Sequence, residues 1–387
     1  PMVSLGVVQL GAQIGVVITA SHNPPAYNGF KLKSAFGGPM VPADVAAVED
    51  LIPDRPGIVM PPLDELEQKG MLHYTDLETL YLDHARNHFD MPLLQRHAAG
   101  VAYDAMYGAG MNAVSRLLPG ATLLHCELNP GMHGQAPEPI HRNLTLLSET
   151  VRNNPNLFAG LANDGDADRI GMYDEDGQFV DSHHLLLILL LYLHKYKGMS
   201  GKVVFTFSVT DKMKKMAEQF DLPYEITKIG FKYIAEIMVN EDVLVGGEES
   251  GGLAVKGHIP ERDGVWMGLL VIEFMARTGK TIKGLVQEVY DLVGPFAFDR
   301  DDLHITEAQK QAIIRECQQN AYTSFGSYTI TGREDLDGFK FRLAEDTWVM
   351  LRPSGTEPVL RVYAQAASLE ACRDILNATR STILSGK

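Results

Sequence analysis

The sequence predicts an α/β protein: three successive strand–loop–helix units followed by a smaller α+β unit. Three observations carry this. Apolar runs of strand length alternate with amphipathic helical stretches along most of the 387 residues, the pattern of sheets flanked by helices. Polar, glycine-bearing loops follow such runs at well-separated places. With 45% hydrophobic and 21% charged residues, the chain has soluble globular composition and apolar material for several cores.

The elements follow in order. The first unit, 1–75, holds an apolar strand at 15–18, a helix around 42–52 and a proline-rich stretch with Pro53, Pro56, Pro61 and Pro62. The second, 76–197, opens with a helical connector at 76–89 and restarts with a strand at 100–104 and a turn at 107–110. It continues through a strand at 157–162, an Asp-rich loop at 163–169, a hairpin turning at Asp176-Gly177 and a helix through 185–196. The third, 198–297, runs from a strand at 202–206 through a helix at 211–220, the segment 227–232, a strand at 243–246 and a helix at 265–278 to Pro295. The last, 298–387, mixes a helix near 306–320 with short strands and the loop 352–358. It closes with a helix from Leu369, an α+β layer rather than another wound sheet.

Composition excludes several classes. A net charge of −15 and a pI of 5.3 speak against a nucleic-acid surface and a polybasic membrane anchor, so no nucleic-acid or membrane partner is expected. Local arginines and backbone amides can still bind phosphates on an acidic protein. Cys126, Cys317 and Cys372 are far apart and form no CxxC, which indicates neither a disulfide framework nor a zinc knuckle and fits a reducing, cytoplasmic setting. The longest apolar run, Leu185 to Leu193, is nine residues, too short to span a bilayer. The chain starts without methionine, a few residues before a strand that already carries chemistry, so loss of upstream sequence is expected.

Four loops carry the chemistry. Gly15-Val-Val-Ile18 runs into Thr19-Ala-Ser-His-Asn-Pro24, which places Ser21 at the end of a strand, where a nucleophile or phosphate carrier is needed. The plainer reading is an ordinary βα turn with Ser21 as a helix cap and Pro24 at the first helical position. Asp164, Asp166 and Asp168 stand at i, i+2 and i+4 after an apolar strand, a spacing that converges hard oxygen ligands on one small cation, for which Mg²⁺ is the natural choice. The calcium-loop frame fails, because Arg169 occupies the position of the invariant glycine. A solvated acidic turn is the alternative. Gly247-Glu-Glu-Ser-Gly251 joins backbone freedom to two acids and a hydroxyl that can bond sugar hydroxyls, although glycine-rich turns with exposed acids are common. Arg352-Pro-Ser-Gly-Thr-Glu-Pro358 offers an arginine, two hydroxyls and backbone amides as an anion nest, best suited to phosphate. Lys31, Lys232, His258, Arg262 and Asp263 sit in or beside turns near these motifs. Dinucleotide, P-loop, zincin and α/β-hydrolase motifs are absent.

In this order the four loops resemble the signature loops of the α-D-phosphohexomutases, the phosphoglucomutase/phosphomannomutase family, and the resemblance spans essentially the whole chain, one loop per unit. It implies three consecutive α/β/α sheet domains plus a C-terminal α+β domain around a central cleft. It implies an isomerase-class phosphotransferase that moves a phosphoryl group between the 1- and 6-positions of a hexose through a bisphosphorylated sugar. Ser21 would be the phosphoserine, with His22 and Lys31 beside it as catalytic groups. Ser21, Asp164, Asp166 and Asp168 would hold Mg²⁺, with glucose 1,6-bisphosphate as activator and intermediate. Arg169, Lys232, Glu248, Ser250, His258, Arg262, Arg352, Ser354, Gly355, Thr356 and Arg361 would contact substrate, and His258 is a weaker candidate for proton transfer. The partners implied are hexose phosphates, with the chain a monomer or weak homodimer.

The Glu248-Glu-Ser-Gly251 form is closer to the glucose-directed loop than to the Glu-Met-Ser-Gly form of dual-specificity members, which implies a glucose preference. The Gly-Thr-x-Gly-x-Arg segment that precedes the serine loop in the family has no counterpart here. The expectation is a first domain short of its N-terminal part, and exposed sheet edges there would invite self-association. A phosphomannomutase, a catalytically impaired sugar-phosphate-binding paralogue and a metal-dependent phosphatase with Ser21 as a mere cap are the competing readings.

Overall fold

The computed structural model describes residues 1–55, 57, 60–354 and 358–385. Pro56 of the proline-rich stretch and Gly355 and Thr356 of the fourth loop lie outside the described residues.

The first α/β segment comprises α1 (Met2–Gln9), β1 (Ile14–Ile18), β2 (Phe30–Ser34), α2 (Pro42–Glu49) and α3 (Leu63–Gln68). One expectation is corrected here. The serine strand does not feed a helix, and Ser21 caps none. β1 returns directly as an antiparallel hairpin, with Ile18 opposite Phe30 and Ile14 opposite Ser34. The cause lies in the residues after Asn28-Gly29: Phe30-Lys-Leu-Lys-Ser34 alternates with period two, so it pairs as a strand.

Helices α4 (Leu77–His88) and α5 (Met91–His97) begin where the side chains of Asp76 and Asp90 accept the backbone N–H of Thr79 and Leu93, at 2.9 and 3.0 Å. Next come β3 (Val101–Asp104), α6 (Met111–Leu117), β4 (Thr122–Leu124), α7 (Thr145–Asn153), β5 (Ala159–Asn163), β6 (Ile170–Tyr173) and β7 (Phe179–Val180). Their sheet has the order β4-β3-β5-β6-β7. β3 runs parallel to β4 and β5, whereas β5, β6 and β7 form an antiparallel meander, because their connections are too short for a crossover. β3, β5 and β6 are buried throughout, and Ala102, Leu144, Leu147, Val151 and Tyr173 share one core on this sheet.

The third segment holds α8 (Ser182–Leu191), β8 (Lys202–Thr206), α9 (Lys212–Gln219), β9 (Tyr224–Thr227), α10 (Phe231–Asn240), β10 (Val243–Gly247), β11 (Leu253–Val255), α11 (Gly264–Thr278) and α12 (Ile282–Val293). The helix expected through 185–196 ends its α-helical part at Leu191 and finishes in a π-helical turn, Tyr192–Tyr196. β8 lies between β10 and β9 and is parallel to β9.

The last segment consists of β12 (Ala297–His304), α13 (Glu307–Gln318), β13 (Ser324–Phe325), β14 (Tyr328–Thr329), β15 (Gly332–Glu334), β16 (Phe339–Ala344), β17 (Thr347–Pro353), β18 (Val359–Ala366) and α14 (Leu369–Leu384). Its sheet is antiparallel throughout, in the order β12-β18-β17-β16-β15. Alternation along β17 sends Val349 and Leu351 into the core with Ile313 of α13 and Ile375 of α14, and Trp348 and Met350 to the other face with Phe207 and Tyr363. A capping box at Thr306 and Gln309 starts α13, and Ser368 caps α14.

The architecture is the expected one: three α/β/α domains followed by an α+β domain. The chain forms two compact units, one of Pro1–Ser182, Phe231–Val243 and Ser250–Lys283, the other of His183–Gly230, Leu244–Glu249 and Gly284–Lys387. Among the described residues no helix is long and apolar enough to cross a membrane.

Candidate active site

The first unit brings the serine loop and the carboxylate loop together. Ser21 adopts a left-handed backbone, φ 54, which costs a non-glycine residue roughly 1 kcal/mol. Thr19 holds it there. Its Oγ1 accepts the Ser21 N–H at 2.8 Å and donates to Asp166 Oδ2 at 3.2 Å. The Ser21 hydroxyl donates to Asp164 Oδ2 at 3.3 Å. Gly165 meets this turn so closely that a Cβ on it would collide with the Ser21 carbonyl oxygen. Only glycine permits that approach.

The carboxylate loop leaves the end of β5, beside the parallel end of β3, the edge where open α/β sheets bind ligands. Asp164 Oδ1 accepts the backbone N–H groups of Asp168 and Arg169 at 2.9 and 3.1 Å, which folds the loop back and leaves Oδ2 facing Ser21. Asp164, Asp166 and Asp168 each offer an oxygen within 4.8 Å of the others. Three cationic side chains surround them. Lys31 Nζ lies 2.8 Å from Asp166 Oδ2 and 3.8 Å from Asp168 Oδ2; Arg262 pairs with Asp168 Oδ2; Arg169 Nε stands 3.7 Å from Asp164 and 3.9 Å from Asp168.

The three carboxyls titrate apart. Burial, then the charges of Asp168 and Asp166, raise Asp164 well above the usual carboxylate range. Burial is the largest single influence on Asp166 and Asp168 too and acts to raise them. The surrounding cations together outweigh it, Lys31 foremost at Asp166 and Arg262, with Lys31 and Arg169, at Asp168, and hold both below that range. Among the described residues, Asp166 Oδ1 and Asp168 Oδ1 are buried and find no hydrogen-bond partner. Orphaned buried acceptors beside a third carboxylate fit a small hard cation.

The other expected residues fall in different places. His22 lies against the same cluster; burial, reinforced by the Arg169 cation, lowers its imidazole to about 4, and its Nδ1 is buried with no partner among the described residues. Lys232 is exposed at the start of α10 with Nζ over the Tyr233 ring. Ser250 is half-buried in the turn after β10, and Glu248 is buried in the second unit. His258 departs from its expected role as a substrate contact. Its side chain is fully buried, stacked on Trp266 at 3.8 Å and 7°, 2.9 Å from Asp263 and 3.3 Å from His84. An imidazole so enclosed braces the protein interior rather than meeting a substrate.

In the second unit, Arg352 on β17 and Arg361 on β18 are directly opposed across the antiparallel pair. Like charges in that register repel. Among the described residues Asp337 lies 3.4 Å from Arg352 and Asp302 3.9 Å from Arg361, and both Nε atoms are buried with no hydrogen-bond partner among those residues. Such a pair suits a dianion. The Ser354 N–H bonds the Val359 carbonyl at 2.9 Å, closing the base of the loop.

Sequence reasoning missed several groups that shape the first cluster. Thr19 and Gly165 set the serine turn, and Lys33, Glu261 and Ser4 form a buried set that ties β2 and α1 to the segment bearing Arg262. The alternation of Lys31 and Lys33 on one strand face was the available signal.

Comparison with known proteins adds a second line of support. Models of the phosphoglucomutase/phosphomannomutase family match in chain order: α/β/α domain I at 1–56, domain II at 79–177, domain III at 181–293 and the C-terminal domain at 306–381. A phosphoglucomutase/phosphomannomutase of Thermococcus kodakarensis is 29% identical over 97% of this chain and 80% of its own length. A phosphoglucosamine mutase of Methanococcus maripaludis is 29% identical over 100% of this chain and 84% of its own. The crystal structure of a "putative phosphomannomutase" from Thermus thermophilus is 32% identical, covers 100% of this chain and 82% of its own, and superposes with a TM-score of 0.84.

Proposed function

The chain belongs to the phosphoglucomutase/phosphomannomutase family of α-D-phosphohexomutases, intramolecular phosphotransferases of the isomerase class, and from that premise we propose that it interconverts hexose 1-phosphates and 6-phosphates, glucose preferred, through a phosphoserine at Ser21. The observation that carries the reading is the Ser21 hydroxyl bonded to Asp164 within three carboxylates, two of whose buried oxygens find no partner among the described residues.

Asp164, Asp166 and Asp168 with Ser21 would hold Mg²⁺, which when bound neutralises charge on the transferring phosphoryl group. The chain's own side chains do the rest. The Ser21 turn is fixed before substrate arrives, so the nucleophile pays no ordering cost at the moment of transfer. Lys31 and Arg262, paired with Asp166 and Asp168, are cations that can turn towards phosphoryl oxygens. Asp164 Oδ2 accepts the hydrogen bond of the Ser21 hydroxyl and so orients it. Arg352 and Arg361, with Ser354, would grip the non-reacting phosphate, and Glu248 and Ser250 the sugar hydroxyls. Glucose preference rests on the Glu248-Glu249-Ser250 sequence alone.

The test is a coupled assay converting glucose 1-phosphate to glucose 6-phosphate with Mg²⁺ and catalytic glucose 1,6-bisphosphate, on the wild type and Ser21→Ala. Loss of roughly a thousandfold or more in the variant is expected of a removed nucleophile. Equal rates would sink Ser21 as the carrier, and release of inorganic phosphate would favour a phosphatase. Mannose 1-phosphate and glucosamine 1-phosphate assayed alongside rank the sugars.

A further inference from the structure

Asp104 ends β3 and His125 follows β4, so both lie at the sheet edge from which the carboxylate loop also leaves. The Asp104 carboxylate, 1% exposed, holds two groups at once: the Met106 N–H at 2.8 Å and His125 Nδ1 at 3.0 Å from each oxygen. An ionised carboxylate only accepts, so the imidazole proton sits on Nδ1. Between these anchors the backbone is strained: Met106, Tyr107 and His125 all have positive φ, 46, 61 and 48. The Tyr107 N–H donates to the His125 carbonyl at 2.9 Å, and the two rings pack with centroids 4.7 Å apart.

This strained turn abuts the candidate cation site. The Ala109 N–H donates to the Gly165 carbonyl at 2.9 Å, and a Cβ on Gly108 would lie 2.7 Å from the Asp164 carbonyl oxygen. Gly165 in turn touches the Ser21 backbone. A continuous chain of contacts therefore runs from His125 to the serine. We propose that His125 is a positioning residue: through Asp104 it pins the turn at 105–110 against the Asp164–Asp168 loop and so sets that loop's affinity for its cation and its rate of phosphoryl transfer. This rests on the reading that the loop holds a divalent cation.

The test uses the full-length protein with His125→Gly, which removes the imidazole without penalising the positive φ, and His125→Asn, which restores a donor in a residue that tolerates it. Mn²⁺ binding is measured by titration calorimetry, and kcat and KM for glucose 1-phosphate by coupled assay. Glycine is expected to weaken Mn²⁺ binding and lower kcat by about tenfold each, the scale on which groups behind metal ligands act, with KM within about twofold. Asparagine should recover most of both. Mn²⁺ affinity and kcat in His125→Gly equal to wild type would overturn the proposal, as would a loss that asparagine does not relieve. A wild type that binds no Mn²⁺ removes the cation site itself. A wild type that binds Mn²⁺ but isomerises no sugar phosphate overturns the family activity, and the Mn²⁺ affinities still judge His125.

Discussion

Gly165 shows how much a single position decides. It has no side chain because the Ser21 carbonyl fills the space where one would begin. Gly165→Ala must push the serine turn away from Asp164, and overpacking of this kind costs about 1–3 kcal/mol. Urea unfolding should register that loss, and the coupled assay should show kcat falling by about tenfold or more with KM little changed, since misplacing a reacting atom costs rate rather than affinity. Arg361 gives the opposite case. Its charge faces Arg352 across the strand pair. Arg361→Gln relieves that repulsion, so the protein measured without substrate should become more stable by about 0.5 kcal/mol. KM for glucose 1-phosphate should rise by about tenfold through loss of a charge-assisted contact. Wild-type KM in the variant would remove Arg361 from the phosphate grip.

Among the elements, α4 and α11 meet through imidazoles. His84 of α4 lies against His258, which is bonded to Asp263, the N-cap of α11. Burial, and then the neighbouring His258, hold His84 below its ordinary value of 6.5. The unfolded chain therefore takes up this proton more readily than the folded one. The contribution to stability is complete above pH 6.5 and declines as pH falls below it. Thermal melts between pH 7.5 and 5 should show a steeper fall for wild type than for His84→Gln. Parallel curves would exclude His84 as the source.

These same elements mark what could be read from residues alone. The four loops were legible because each is local: a strand, then polar residues at fixed spacing. The helix near 306–320, seen as α13, and the hairpin at Asp176-Gly177 were legible for the same reason. Partners distant in sequence were not. Lys31 reaches Asp166 across 135 positions and Arg262 reaches Asp168 across 94, and no periodicity encodes such meetings. The burial of His258 against Trp266, Asp263 and His84 was equally hidden, because these neighbours meet only in the fold. The opposition of Arg352 and Arg361 depends on register, which turn length and tertiary packing set together.

At the scale of the whole molecule, a cation bound by the folded chain must add to its stability. Mg²⁺ at about ten times its dissociation constant contributes about 1.4 kcal/mol. For a chain of this size that raises the melting temperature by roughly 2 °C. Asp166→Asn and Asp168→Asn should abolish the increment, and EDTA should reverse it in the wild type. An increment that survives in both variants would locate the cation elsewhere.

The chain has two tryptophans, and each compact unit holds one: Trp266, flat against His258, and Trp348, beside Phe298 and under the buried ammonium of Lys340. The molecule thus carries one intrinsic fluorophore per unit. Trp348→Phe leaves a signal that reports the first unit only. Trp266→Phe leaves a signal that reports the second. Denaturation followed in both variants would reveal whether the two units melt in one cooperative step or in succession.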